Sequence, residues 1–241
     1  MSSIFSSFKN ITSDTQWFIK LCIMTVPVFL LMNYFLDANR VFNPHVIPFL
    51  IAVLVVYTGC GAFMINRYIN NTFPILPDLV GIPELLFHSI FSVLVMAPGL
   101  VLCLGTMYLI STNLFLEMKI MMGIYGLVLV FFLPFIFIPL TLYAMNGNIK
   151  DALNLKPLGN GAGNFIIAMF AFVIQYAFTV FLVWLIFYII FSKMMKDPYL
   201  INAINSFFIV YTFIIFFSYL ADQFGDSIPD PRSAEEVYGD Q

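Results

Sequence analysis

Six apolar runs divide this chain, at residues 17–36, 46–66, 85–110, 121–144, 165–191 and 203–221. An α-helix rises about 1.5 Å per residue, so roughly 20 residues cover a hydrocarbon core about 30 Å thick. Each run reaches that length. None shows the polar alternation of a barrel strand, so helices are expected. The composition leaves no soluble alternative: 61% of residues are hydrophobic and 10% charged, with a mean hydropathy of +0.97, where soluble domains carry about 25% charged residues. The expected fold class is therefore all-α: an integral membrane helical bundle of six transmembrane helices, with interfacial helices on the side of the termini. The lipid bilayer is its first partner.

Three parts follow: an interfacial amphipathic segment at 1–12, a six-span membrane domain at 13–221 and an acidic polar tail at 222–241. In the first part Ile4, Phe8 and Ile11 recur at helical spacing opposite Ser, Lys and Asn, the pattern of a helix lying in the membrane surface. Ser13 and Gln16 have capping-box spacing ahead of the first span. The first eight residues hold no Lys or Arg, so the first span reads as a retained signal-anchor. Prolines at 229 and 231 predict an extended tail.

An even number of spans puts both termini on one side. Lys9, Lys20, Arg67, Lys150, Lys156 and Arg232 fall on that side, against Arg40, Lys119, Lys193 and Lys196 on the other. The excess predicts cytoplasmic termini. Lys20 lies within the first run and is expected to snorkel to the same interface. The basic residues are scattered and the net charge is −3, so no nucleic-acid partner is expected.

Chemistry is sparse. Cys22, Cys60 and Cys103 have neither disulfide arithmetic nor CxxC spacing. The two histidines, His45 and His88, fall on opposite sides of the expected topology. There is no HExxH, GxSxG or phosphate-cradling GxxxxGK[ST]. No enzyme, cofactor or metal is expected. His88 is the titratable side chain placed to sit below the interface, and it reads as an interfacial histidine bonded to a loop or to Glu84. Gln175 is the strongly polar residue well inside the fifth run.

Spacing also predicts packing faces. His88, Ser92, Gly99, Cys103 and Thr106 share one face of the third span, and Ala168, Ala171, Gln175 and Thr179 one face of the fifth. Small residues let helices approach closely in lipid, and Gly59 and Gly61 offer the same in the second span. Prolines 27, 48, 98, 134 and 139 mark candidate kinks.

The loops after the second and fourth runs resemble each other. "NTFPILPDLVGIPELLFHSI" carries Asp78 and Glu84, with Pro83 and Glu84 suited to a helix start. "MNGNIKDALNLKPLGNGAGNFIIAMF" carries a short amphipathic helix with Lys150, Asp151, Asn154 and Lys156 on its polar side, ended by Pro157 and a glycine-rich stretch. The pair suggests duplicated helical hairpins. Leu76–Gly99, "LPDLVGIPELLFHSIFSVLVMAPG", resembles the signature of a prokaryotic polytopic family catalogued as domain of unknown function forty-thirteen, in which a Leu-Pro-acid turn and a later Glu/Lys-Leu-Phe precede a span with a late proline. Gly147–Leu158, "GNIKDALNLKPL", resembles its second motif. The resemblance covers roughly residues 15–220; the chain lacks the Trp and extra acids often seen in the first motif, and "GNGAGN" replaces a bulkier segment. It implies a topology and a prokaryotic plasma or inner membrane, and it supplies no catalytic residues.

The resulting expectation is a non-enzymatic accessory or scaffold subunit of a membrane assembly, with a membrane protein partner. The alternative is a carrier or channel for a lipid or small apolar solute. His88, Glu84, Asp78, Gln175 and Asp151 are the candidate functional or contact residues.

Overall fold

The computed structural model describes residues 4–35, 46–70, 72, 74–77, 82–113, 118–194 and 197–224. The described residues form an all-α bundle. In order they build α1 (Ile4–Thr12), α2 (Trp17–Phe35), α3 (Val46–Ile69), α4 (Ile82–Asn113), α5 (Met118–Asn146), α6 (Ile149–Ala152), α7 (Leu155–Tyr176), a π turn (Ala177–Phe181), α8 (Leu182–Met194) and α9 (Pro198–Phe224). Five segments are long and apolar enough to cross a membrane, and a sixth if Ile4–Thr12 and Trp17–Asn33 count as one span bent by 102°. The 19-residue α2 is itself about as long as the hydrocarbon is thick. The elbow sets α1 at 102° to α2.

Helix α3 sits at the centre and touches α2, α4, α5 and α9. Its glycines explain why. A Cβ on Gly59 would lie 1.9 Å from the Ser89 hydroxyl and 2.7 Å from Ser89 Cα; one on Gly61 would lie 2.4 Å from the Phe217 ring. Gly99 of α4 does the same against α5, where a Cβ would meet the Phe135 carbonyl at 2.5 Å. In lipid, apolar burial gives helices no reason to associate, so close backbone approach and dispersion must supply it. The expected face of the third span is inside: Ser92, Gly99 and Cys103 are buried, and His88 and Thr106 half-buried.

Four expectations need correction. The fifth span packs through Phe165, Ala168, Met169 and Phe172, all buried, while Ala171, Gln175 and Thr179 sit at the margin. Large aromatics fill the gap to α9, where the Tyr219 hydroxyl donates to the Ala168 carbonyl at 3.2 Å. Pro157 and the glycine-rich stretch do not end a helix. They lie in the first turns of α7, where proline's missing N–H would have had no partner anyway. The first span is capped by Asp14, not Ser13: Asp14 Oδ1 accepts the Gln16 N–H at 2.8 Å, and Ser13 Oγ donates to the Asn10 carbonyl. In α1, Ile4, Ser7 and Ile11 are buried, while Phe8 is partly exposed with its ring edge-on to Tyr211 of α9 and Phe5 is exposed. The buried side of α1 is thus not purely apolar, since it includes Ser7.

Gly147 closes α5. Its φ of +64° is left-handed, and its N–H donates to the Tyr143 carbonyl at 2.8 Å. Only glycine takes this helix-ending conformation without a Cβ penalty.

Candidate functional site

Polar side chains gather where α3, α5 and α9 end, with α1 packed against α9. Asp222 of α9 accepts a hydrogen bond from Ser6 Oγ at 2.9 Å and another from the Tyr68 hydroxyl. One carboxylate so ties α1, α3 and α9. Asn66 Nδ2 donates to the Ala144 carbonyl at 2.6 Å and joins α3 to α5. The Arg67 guanidinium lies 4.4 Å from the Phe63 ring centre and donates to the carbonyls of Pro74 and Leu76, at 2.8 and 3.4 Å. Ile75 and Leu76 beneath it are fully buried. Their prolines remove backbone donors, and Arg67 satisfies acceptors that lipid could not.

Lys20 does not snorkel to water. Its Nζ is 2.8 Å from Asp14 Oδ2, with the two side chains only 6% and 5% exposed. The pair sits at the elbow between α1 and α2. Burying either charge alone is costly, so each fixes the other.

The predicted candidates are dispersed. His88 is half-buried near the start of α4, its Nδ1 3.3 Å from the Tyr143 hydroxyl and its ring beside Phe87 and Tyr143. Gln175 Oε1 accepts the Ile4 N–H at 3.0 Å. This caps one of the donors that the first turn of α1 leaves unpaired. Asp151 lies in α6 and pairs with no described cation. Asp78 and the side chain of Glu84 lie outside the described residues. No group of three or more His, Cys, Asp or Glu that could hold a metal occurs among the described residues. None of the five candidates meets another through a hydrogen bond given above.

A second feature had no counterpart in the sequence reading. The fifth span is broken by the π turn Ala177–Phe181. A π turn holds an extra residue, so the face turned toward the bundle does not continue past it. Thr179 Oγ1 fills the widened turn by donating to the Gln175 carbonyl at 2.6 Å. Beyond it, α8 buries nothing between Leu182 and Ile190 and packs chiefly along α9. Three cavities of about 470, 340 and 460 Å³ open along α9 here, each lined in part by Phe208. The polar groups of this groove satisfy each other: Trp184 Nε1 donates to Asn205 Oδ1 at 3.1 Å, and the hydroxyls of Tyr176 and Thr212 are 2.6 Å apart. At the far end Asn202 Nδ2 donates to Asn33 Oδ1 at 3.0 Å, joining α9 to α2. These pairs join residues 21, 36 and 169 positions apart, so no sequence pattern marked them.

These features define an all-α helical bundle of the membrane-spanning class. No protein-family model, curated protein or solved structure matches the chain.

Proposed function

We propose that this chain is a non-enzymatic scaffold or accessory subunit around which other membrane segments assemble. The observation that carries the reading is asymmetry along the membrane normal. The terminal side is tied by the Asp222, Asn66 and Arg67 bonds and by close approach at Gly59 and Gly61. On the other side the outer halves of α4 and α5 are exposed. Leu104 of α4 and Leu127 of α5 are 63% and 73% exposed. Gly105, Gly123 and Gly126 have no neighbour within 4 Å of where a Cβ would stand. Glycine costs a helix about 1 kcal/mol relative to alanine, and its use in lipid is to admit another helix. Open glycines on these exposed halves fit a bundle completed by a membrane protein partner.

The setting we propose is a prokaryotic plasma or inner membrane with cytoplasmic termini. It rests on the distribution of basic residues and on the resemblance to domain of unknown function forty-thirteen. Purification in mild detergent tests the reading: a stoichiometric co-purifying membrane protein supports it. A monodisperse monomer that moves solute in liposomes would overturn it in favour of the second reading. That second reading, a carrier for a lipid or small apolar solute, is favoured by the groove beside α8. Reporter fusions at residues 1 and 241 test the orientation, and opposite signals would remove one span.

A further inference from the structure

We propose that the cavity between α1, the π turn and α9 binds one acyl chain of an anionic phospholipid, with the lipid phosphate held at Lys9. This site is independent of the scaffold reading.

The cavity of about 470 Å³ is walled by Ile4, Phe5 and Phe8 of α1, by Phe178 and Val183 around the π turn, and by Tyr211 of α9 among others. Its walls ask for an apolar occupant. Thr179, which also lines it, already donates its hydroxyl to the Gln175 carbonyl. The cavity opens outward, and a hydrocarbon chain, which carries no polar groups, can lie in it with none left unsatisfied.

The charge at the mouth sets the headgroup. Helix α1 lies at 102° to α2, so with α2 spanning the bilayer it runs parallel to the plane of the lipid phosphates. Lys9 is exposed and stands one helical turn beyond Phe5, on the same side of α1. Among the described residues no carboxylate pairs with it. A cation at headgroup level above an apolar cavity is complementary to an anionic amphiphile and indifferent to a neutral one.

Electron spin resonance on the full chain in liposomes tests this, with spin-labelled phosphatidylglycerol or phosphatidylcholine as probe. The expected result is a motionally restricted component favouring phosphatidylglycerol about fivefold, the worth of about one lysine at a membrane surface. Lys9→Gln should bring that ratio close to one while leaving the phosphatidylcholine signal unchanged. Val183→Trp, which fills the cavity, should reduce the restricted component for both lipids. Ile189→Trp, equally exposed on α8 but away from this cavity, should leave both unchanged. Lack of preference in the unmodified chain, or preference retained in Lys9→Gln, would overturn the headgroup assignment. Equal effects of the two tryptophans would overturn the cavity. Efficient cross-linking of Val183→Cys to a second copy, in a Cys22→Ser background, would make the seat a protein contact and refute the lipid.

Discussion

Replacing Gly59 with alanine adds one methyl group at the tightest crossing in the bundle. The new Cβ would stand 1.9 Å from Ser89 Oγ and 2.7 Å from Ser89 Cα. The hydroxyl can rotate away only by giving up its bond to the Leu85 carbonyl, at 2.6 Å. The Cα cannot rotate at all. Carbon atoms rest about 3.5–4.0 Å apart, so α3 and α4 must separate by about 1 Å. Ser89 is fully buried, and nothing around it can absorb that movement locally. Overpacking of this kind costs about 1–3 kcal/mol, partly offset by alanine's better helix propensity of about 1 kcal/mol. Gly123→Ala provides the internal comparison, because its Cβ meets nothing within 4 Å. There only the propensity term remains, and the sign reverses. Unfolding of both variants in mixed detergent micelles, followed by circular dichroism, should show Gly59→Ala destabilised and Gly123→Ala unchanged or stabilised. Equal midpoints for the two would refute the claim that close approach at Gly59 holds α3 to α4.

Lys20→Met leaves Asp14 buried without its partner and should cost about 3–5 kcal/mol; the double variant Asp14→Asn/Lys20→Met should recover much of this in the same unfolding assay. Arg67→Met removes the donor to Pro74 and Leu76, so hydrogen exchange at the Ile75 and Leu76 amides should speed up at least about tenfold, the effect of losing roughly 1.4 kcal/mol of local stability. Phe165→Ala opens a cavity at a fully buried position and should cost roughly 2 kcal/mol or more, whereas Phe170→Ala, 57% exposed to lipid, should be close to silent by thermal denaturation.

The sequence by itself determined the class and most of the helices. Run length and continuity suffice for that, because a backbone in lipid must satisfy its hydrogen bonds internally. Spacing also placed Ser92, Gly99 and Cys103 inside, since small residues on one face of a helix have no other use in a hydrophobic solvent. The same rule failed in the fifth span. There Phe165 and Phe172 face inward, and the difference between an aromatic facing lipid and one facing α9 has no signature in composition. The tertiary structure alone decided which polar groups meet. Ser6 finds Asp222 from 216 residues away, and Gln175 finds the N–H of Ile4 from 171. Such pairs depend on how helices are arranged around α3, and a linear pattern carries only the orientation of each helix about its own axis. The π turn belongs to the same category. It breaks the fifth span between Ala177 and Phe181, and no run of apolar residues marks where an extra residue enters a helix.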